Sequence, residues 1–311
     1  MQNSSISNFK ALLRQHILPI GLACVAISFL LDYAITHVLV KNGKRGGPTK
    51  IYKLTHNELE KGTIPIVGSS RALMHIIGDS LNPKCYNFGI IGTGNNVHYY
   101  FMKELIEQGD NTPIIYNLDF EINKAYGDIS NYLPSIHNPN ISEAIADTSI
   151  WYQKIGFVRY IGVFETYLKS YLSAEGTTKL LNNGTEVSEK YPDSLTFAQE
   201  VNKAYKPSPK LKISNVSKIE ELFKIAPNRQ FILVITPTHP TSLGKYTGED
   251  EIRTYYNSLG KKYNNVLVFD YLLEPYSWNY WTDPFHLNAR GAKAFSSKFK
   301  ADLHKALPKY F

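Results

Sequence analysis

The stretch Thr63-Ile64-Pro65-Ile66-Val67-Gly68-Ser69-Ser70-Arg71 decides how the rest of the chain is read. An apolar run without polar alternation fits a strand buried on both faces, the kind that fills a parallel sheet between helices. The run stops at a glycine, which supplies a tight turn, followed by two serines. A serine on a strand-to-helix turn stands at the sheet edge, where its own amide helps bind an oxyanion. An ordinary turn with a capping serine is the plain alternative for these residues taken alone.

The pattern recurs outward from this point. Lys84–Phe88 leads into Gly89, Pro113–Leu118 into Asp119, Phe231–Ile235 into Thr236-Pro237, and Val266–Phe269 into Asp270. Helical patterns lie between them, near Val97–Glu107, Ser217–Ile225, Glu249–Lys261 and Ala289–Ala306. This alternation predicts an α/β three-layer sandwich around a five-stranded parallel sheet, whose ligands sit at the carboxyl ends of the strands. Lys124 to about Pro209 breaks the alternation and is expected to be a helical insertion: Ile150–Leu172 is aromatic and helical in character, and Ser173–Ser208 is polar and irregular. The insertion reads either as plain packing or as a cap or partner-docking element.

Length and composition set the outer limits. With 311 residues, 43% hydrophobic and 20% charged, the chain can bury a sizeable core and is neither disordered nor fibrous. Seven Lys/Arg against Asp32 give residues 1–53 a charge of +6 out of a total of +7, leaving a body near neutrality. A nucleic-acid binder concentrates basic charge on its folded domain, so no nucleic-acid partner is expected. Two cysteines, Cys24 and Cys85, exclude a disulfide framework and Cys-x-x-Cys metal sites.

Ile17–Leu31 carries no charge, and the apolar character resumes after Asp32 to Val40. As one helix, Ile17–Val40 would span about 36 Å at ~1.5 Å per residue, enough for a hydrocarbon core of roughly 30 Å. Lys10 and Arg14 precede it, and Lys41, Lys44 and Arg45 follow. An uncleaved signal anchor through residues 17–40 is the reading preferred over a cleaved signal peptide, because no small-x-small cleavage site follows Leu31. Residues 1–48 then form the anchor and a basic linker, Lys41–Pro48, and residues 49–311 the α/β domain. The positive-inside rule places the side after Val40 in the cytoplasm, which conflicts with the extracytoplasmic placement argued below.

Two further segments carry chemistry. Asn87-Phe88-Gly89-Ile90-Ile91-Gly92-Thr93-Gly94-Asn95-Asn96 is glycine-rich and lets amides point at developing negative charge, without the spacing of a dinucleotide site. Alone, it is equally a flexible loop. Trp281-Thr282-Asp283-Pro284-Phe285-His286-Leu287-Asn288 sets Asp283 and His286 three apart, just before a helix that Asn288 would cap. That spacing lets a carboxylate orient an imidazole, which then serves as general base toward a serine. A surface histidine beside a capping aspartate is the bland alternative.

The order of Gly-Ser-Ser, glycine-rich turn and Asp-x-x-His, the last ahead of the C-terminal helix, resembles the SGNH hydrolase superfamily, the GDSL-type esterases and acyltransferases. The resemblance covers Thr63 to about Phe295 without the insertion, and implies a flavodoxin-like sheet. It implies Ser70 as nucleophile, His286 as base and Asp283 as its orienting acid. Gly92 and the Ser70 amide would form the oxyanion hole. The family's Gly-x-Asn-Asp after the third strand is replaced by Tyr116-Asn117-Leu118-Asp119-Phe120, so Asn117 is the candidate third donor. Together with the N-terminal helix and Thr236-Pro237-Thr238-His239-Pro240, the pattern is similar to a membrane-anchored branch, the D-alanyl-transfer protein of teichoic acid systems and alginate O-acetylation proteins. That branch implies an extracytoplasmic O-acyltransferase or esterase acting on a cell-envelope glycan, beside a membrane-bound O-acyltransferase, with no metal or dissociable cofactor. Arg71, His239, Trp278 and Trp281 are the expected substrate contacts; core packing or a structural ion pair is the alternative for each. An α/β-hydrolase elbow fits less well, since that turn follows a mid-chain strand. A rival of another class is a non-catalytic assembly or glycan-binding module that keeps the fold.

Overall fold

The computed structural model describes residues 13–120, 127–146, 151–172, 178–204, 213, 217–243 and 248–311. Five strands, β1 (Ile64–Val67), β2 (Cys85–Asn87), β3 (Ile114–Asn117), β4 (Phe231–Ile235) and β5 (Val266–Asp270), form one sheet. Their order is β2-β1-β3-β4-β5, and every pairing is parallel. This is the flavodoxin-like order, whose switch point lies between β1 and β3.

The strand sequences lack alternation because helices cover both faces. In β4, Phe231, Leu233 and Ile235 belong to a cluster with Val97, Phe101, Leu222 and Leu259. Ile232 and Val234 point the other way, into a second cluster with Trp281, Phe295, Phe299 and Leu303. The second layer depends on the helix Ala289–Ala306, which Asn288 caps by accepting from the Arg290 and Gly291 amides at 3.0 and 3.2 Å.

Arg14–Val40 is a helix of 27 residues, long and apolar enough to cross a bilayer. No residue of Leu18–Ala34 is buried, whereas Ile35, Thr36 and Val40 are. Asp32 is held by Arg159, whose Nε and Nη2 donate to its carboxylate at 2.8 and 2.9 Å, and Thr36 Oγ1 bonds the Tyr160 hydroxyl. The helix therefore docks on the domain. Lys41–Pro48, read as a linker, ends inside a short helix, Gly47–Thr55, whose residues Gly47 to Tyr52 are buried.

Between residues 150 and 209 the described parts, 151–172 and 178–204, differ from expectation, and the rest of the expected insertion there lies outside the described residues. In place of a helical run, Trp151–Lys154 and Gly156–Tyr160 are 3-10 turns and only Phe164–Leu172 is an α-helix. Gly156 and Gly162, with φ of +29° and +84°, break the run. In place of irregular chain, Thr178–Leu180 and Glu186–Ser188 form an antiparallel hairpin. The strands are joined through residues 181–185, closed by the Leu181 amide donating to Thr185 O at 2.8 Å, with Asn183 and Gly184 both at positive φ, a conformation that asparagine and glycine tolerate best. A helix, Ser194–Ala204, follows, started by Asp193 Oδ1 accepting from the Thr196 amide at 2.7 Å.

The core holds a neutral histidine with a measurable consequence. His98 is fully buried, its Nε2 2.8 Å from Thr93 Oγ1, and burial pushes its pKa down to about 3. The unfolded chain takes up a proton on this ring below about pH 6.5, and the folded one does not. Stability is accordingly lost as pH falls from about 6.5 toward the folded value. His98 alone should cost about 2 kcal/mol between about pH 7 and about pH 5. Urea unfolding at the two pH values checks this, and a flat profile in wild type would count against a buried neutral ring.

Candidate active site

At the carboxyl end of β1 the chain turns at Gly68, with φ +154°. A Cβ there would stand 2.7 Å from Ala72 Cβ and 2.9 Å from Asn117 Cβ, so only glycine allows the turn to pack this tightly. Ser69 caps the helix Ser70–His75 through its Oγ, which accepts from the Arg71 amide at 3.4 Å. Ser70 opens that helix, half-buried, and its Oγ lies 2.8 Å from His286 Nε2. Of the two adjacent serines, it is Ser70 that meets the imidazole.

The imidazole comes from the tight hairpin of Trp281–Asp283 and His286–Leu287. Asp283 Oδ1 accepts from the Phe285 and His286 amides at 2.8 and 3.0 Å, which fixes the turn. The same carboxylate faces His286 Nδ1 at 3.0 and 2.9 Å. With Nδ1–H donating to Asp283, the Nε2 lone pair is left to accept the Ser70 hydroxyl. Burial pushes the Asp283 carboxyl up, but the His286 hydrogen bond and charge, with the two amides, outweigh it and hold the group below the ordinary carboxylate value. Asp283 is thus an acceptor, fixed in the ionised form. Serine, histidine and aspartate from opposite ends of the sequence meet in hydrogen-bonding order, the arrangement that activates a serine for acyl transfer.

Gly92, with φ +77°, sits exposed in the turn after β2. That turn is tied to the serine loop by the Ile90 amide, which donates to Gly68 O at 3.1 Å. A second tie was not expected. The Lys50 ammonium is buried and donates to Gly89 O at 2.8 Å, with its pKa lowered by burial to about 8. Lys50 lies just past the stretch read as a linker, Lys41–Pro48, and its sequence context gave no hint of this.

Other expected site residues are placed differently. Asn117 is fully buried against Gly68 and gives an amide hydrogen to Asp119 Oδ1 at 3.2 Å, so it is not open to a substrate. Trp281, expected as a substrate wall, is 0% exposed and packs with Phe295 and Phe299. Its apolar ring is drawn into the helix layer, while its Nε1 donates to Tyr276 O at 3.2 Å. Arg71 turns inward to Thr238 Oγ1 at 2.9 Å and Asp119 Oδ1 at 3.9 Å, which is the structural ion-pair alternative. His239 is half-buried between Phe197 and Trp281, and its Nδ1 accepts from the Thr241 amide at 3.3 Å. Trp278 alone of these aromatics is exposed, at 43%. Gly78-Asp79-Ser80-Leu81 spells the resembled family's motif letter by letter. It forms a short helix packed at the start of β2, where a Cβ on Gly78 would be 3.3 Å from Cys85 Cβ. That is the opposite end of the sheet from Ser70.

One positioning residue escaped the sequence. His75, at the end of the Ser70 helix, is fully buried, and its Nε2 accepts from the Leu287 amide at 3.1 Å. Burial, with the neighbouring His286 and Arg71 charges, holds its pKa well below the ordinary value, so the ring stays neutral and can accept. It clamps the hairpin that carries His286 to the helix that Ser70 opens. His75→Ala should lower kcat roughly 10- to 100-fold with little change in KM. His75→Gln, whose amide oxygen can accept from Leu287, should recover most of the loss. Equal kcat in the Ala and Gln variants would dismiss the clamp.

Among the described residues no group of three or more His, Cys, Asp or Glu is placed to hold a metal ion. The chain matches no family model and no curated protein. Among solved structures it is similar to a protein from Streptococcus pneumonia described provisionally as a platelet activating factor, with 14% sequence identity and a TM-score of 0.41. The match covers 92% of this chain and 99% of that one. The functional reading therefore rests on the site itself.

Proposed function

We propose that the protein is a membrane-anchored SGNH-type serine enzyme, an O-acyltransferase or esterase acting on acyl esters of a cell-envelope glycan outside the cytoplasmic membrane. The observation that carries the reading is the chain of bonds Ser70 Oγ to His286 Nε2 and His286 Nδ1 to Asp283, at the carboxyl end of β1. Ser70 Oγ attacks the acyl carbonyl while its proton passes to His286 Nε2. The Ser70 amide and the Gly92 turn stabilise the oxyanion. Collapse breaks the ester C–O bond, and His286 returns the proton to the departing alcohol. A sugar hydroxyl or water, deprotonated by His286, then attacks acyl-Ser70, and the serine is released as it regains the proton.

The approach of Gly156 to Ser28, whose Oγ a Cβ there would meet at 3.3 Å, supports an uncleaved anchor, since Ser28 lies on the part of the helix that cleavage after Leu31 would remove. The glycan acceptor and a membrane-bound O-acyltransferase partner rest on the resemblance alone, with exposed Trp278 as the available stacking surface. The burial of Asn117 favours the rival reading, a docking module of the same fold that has lost its catalysis. The full chain in detergent separates the two. A serine-reactive fluorophosphonate should label Ser70, and a chromogenic acetyl ester should be hydrolysed. Absence of both would hand the fold to the docking reading.

A further inference from the structure

We infer that Tyr152–Phe164 of the insertion dips into the lipid leaflet beside the N-terminal helix, so that acyl chains cover its apolar face. The inference rests on reading Arg14–Val40 as a membrane span. The segment climbs that helix toward its middle. Tyr160 meets Thr36, Arg159 pairs with Asp32 at 2.8 Å, and a Cβ on Gly156 would stand 3.3 Å from Ser28 Oγ. About twenty helical residues fill a hydrocarbon core of roughly 30 Å. Counted from Gln15, directly after Arg14, they end near Ala34. Ser28 then lies about 9 Å inside the edge, within the roughly 5–10 Å reached by interfacial elements.

The side chains suit that depth. Ile155, Ile161 and Phe164 are 45%, 67% and 43% exposed, apolar surface that water would penalise. Ile161 and Phe164 line an open groove with Leu31 and Val38 of the helix, so the patch runs from the interface at Val38 onto the span's own lipid-facing surface at Leu31. The charge at this level, Arg159, is 5% exposed and paired with Asp32 through Nε and Nη2, the form in which charge is tolerated in a membrane. Lys154 reaches away to Ser142 Oγ at 3.4 Å, toward the domain. After Phe164 the exposed ion pair of Glu165 and Lys169 takes the next helix back into the aqueous phase.

The full chain in phospholipid vesicles tests this with an environment-sensitive thiol fluorophore placed at one cysteine at a time. Ile161→Cys and Ile155→Cys are made with Cys24→Ser and Cys85→Ser; native Cys24, retained with Cys85→Ser, reports on the span; Lys169→Cys reports on the aqueous side. Both exposed isoleucines tolerate the change without repacking. The label at Ile161→Cys should be quenched by a lipid spin-labelled near its headgroup and spared by aqueous iodide, with Lys169→Cys the reverse. Iodide quenching at Ile161→Cys and Ile155→Cys, with Cys24 quenched by lipid, would overturn the inference and leave the anchor intact. Protection of Ile161→Cys from both quenchers means a protein covers the patch, and also overturns it. Iodide quenching at Cys24 removes the anchor itself and the inference with it.

Discussion

Ser70→Ala and His286→Ala are each expected to lower acyl-ester turnover on the order of 10³-fold or more, with the double variant little worse than either. The factor corresponds to about 4 kcal/mol of barrier. Non-additivity follows from the 2.8 Å contact, because the serine is a poor nucleophile without the imidazole and the imidazole has no task without the serine. Asp283→Asn should cost less, since it disturbs the orientation and charge of His286 and leaves the nucleophile in place. Ser69→Ala removes only a helix cap, worth about 1 kcal/mol of stability, and should keep most turnover. All variants should retain the wild-type circular dichroism spectrum. Steady-state kinetics on a chromogenic ester decide the matter. A dead Ser69→Ala beside an active Ser70→Ala would reassign the nucleophile, and full biological function in every variant would remove catalysis altogether.

Trp281→Ala is expected to destabilise the fold by about 3–5 kcal/mol. The indole is enclosed by Phe295, Phe299 and Leu303, with its edge on His75 and His239, and its removal leaves a large void. Asp283 lies two residues further along the same hairpin, so the surviving folded fraction should also lose kcat. Trp278→Ala, at an exposed site, should change stability by no more than about 0.5 kcal/mol, and any effect should fall on KM. Urea midpoints separate the two tryptophans. A stable Trp281→Ala enzyme with raised KM would restore the indole to the substrate wall.

The contrast between these tryptophans shows where the sequence was legible. Phe231–Ile235 carries its own signature, an unalternating apolar run, because both faces of the strand are covered. Asn288 announces the last helix because a cap acts on amides two and three residues ahead. Ser70, His286 and Asp283, which the structure brings into one hydrogen-bonded chain, could be picked out because they stand at turns, and turns have local grammar. Asn183-Gly184 had the same grammar and pointed to a hairpin within a segment whose polarity suggested irregular chain. Burial has no such grammar. Whether Trp281 lies in the core or the cleft, and whether Asn117 faces a ligand or Asp119, is settled by elements far away in sequence. Lys50 on Gly89, His75 on Leu287 and Arg159 on Asp32 belong to that class: each contact joins segments whose proximity only the folded chain creates.

The serine and its base are separated by 216 positions along the chain. At a synthesis rate of about 5–20 residues per second, Ser70 is polymerised roughly 10–40 s before His286 exists. Throughout that interval the N-terminal helix is already made and the serine has no base to activate it. Under the proposed mechanism the nascent polypeptide is chemically silent toward esters until the last strand-to-helix turn is complete, so acyl transfer would report that biogenesis has finished.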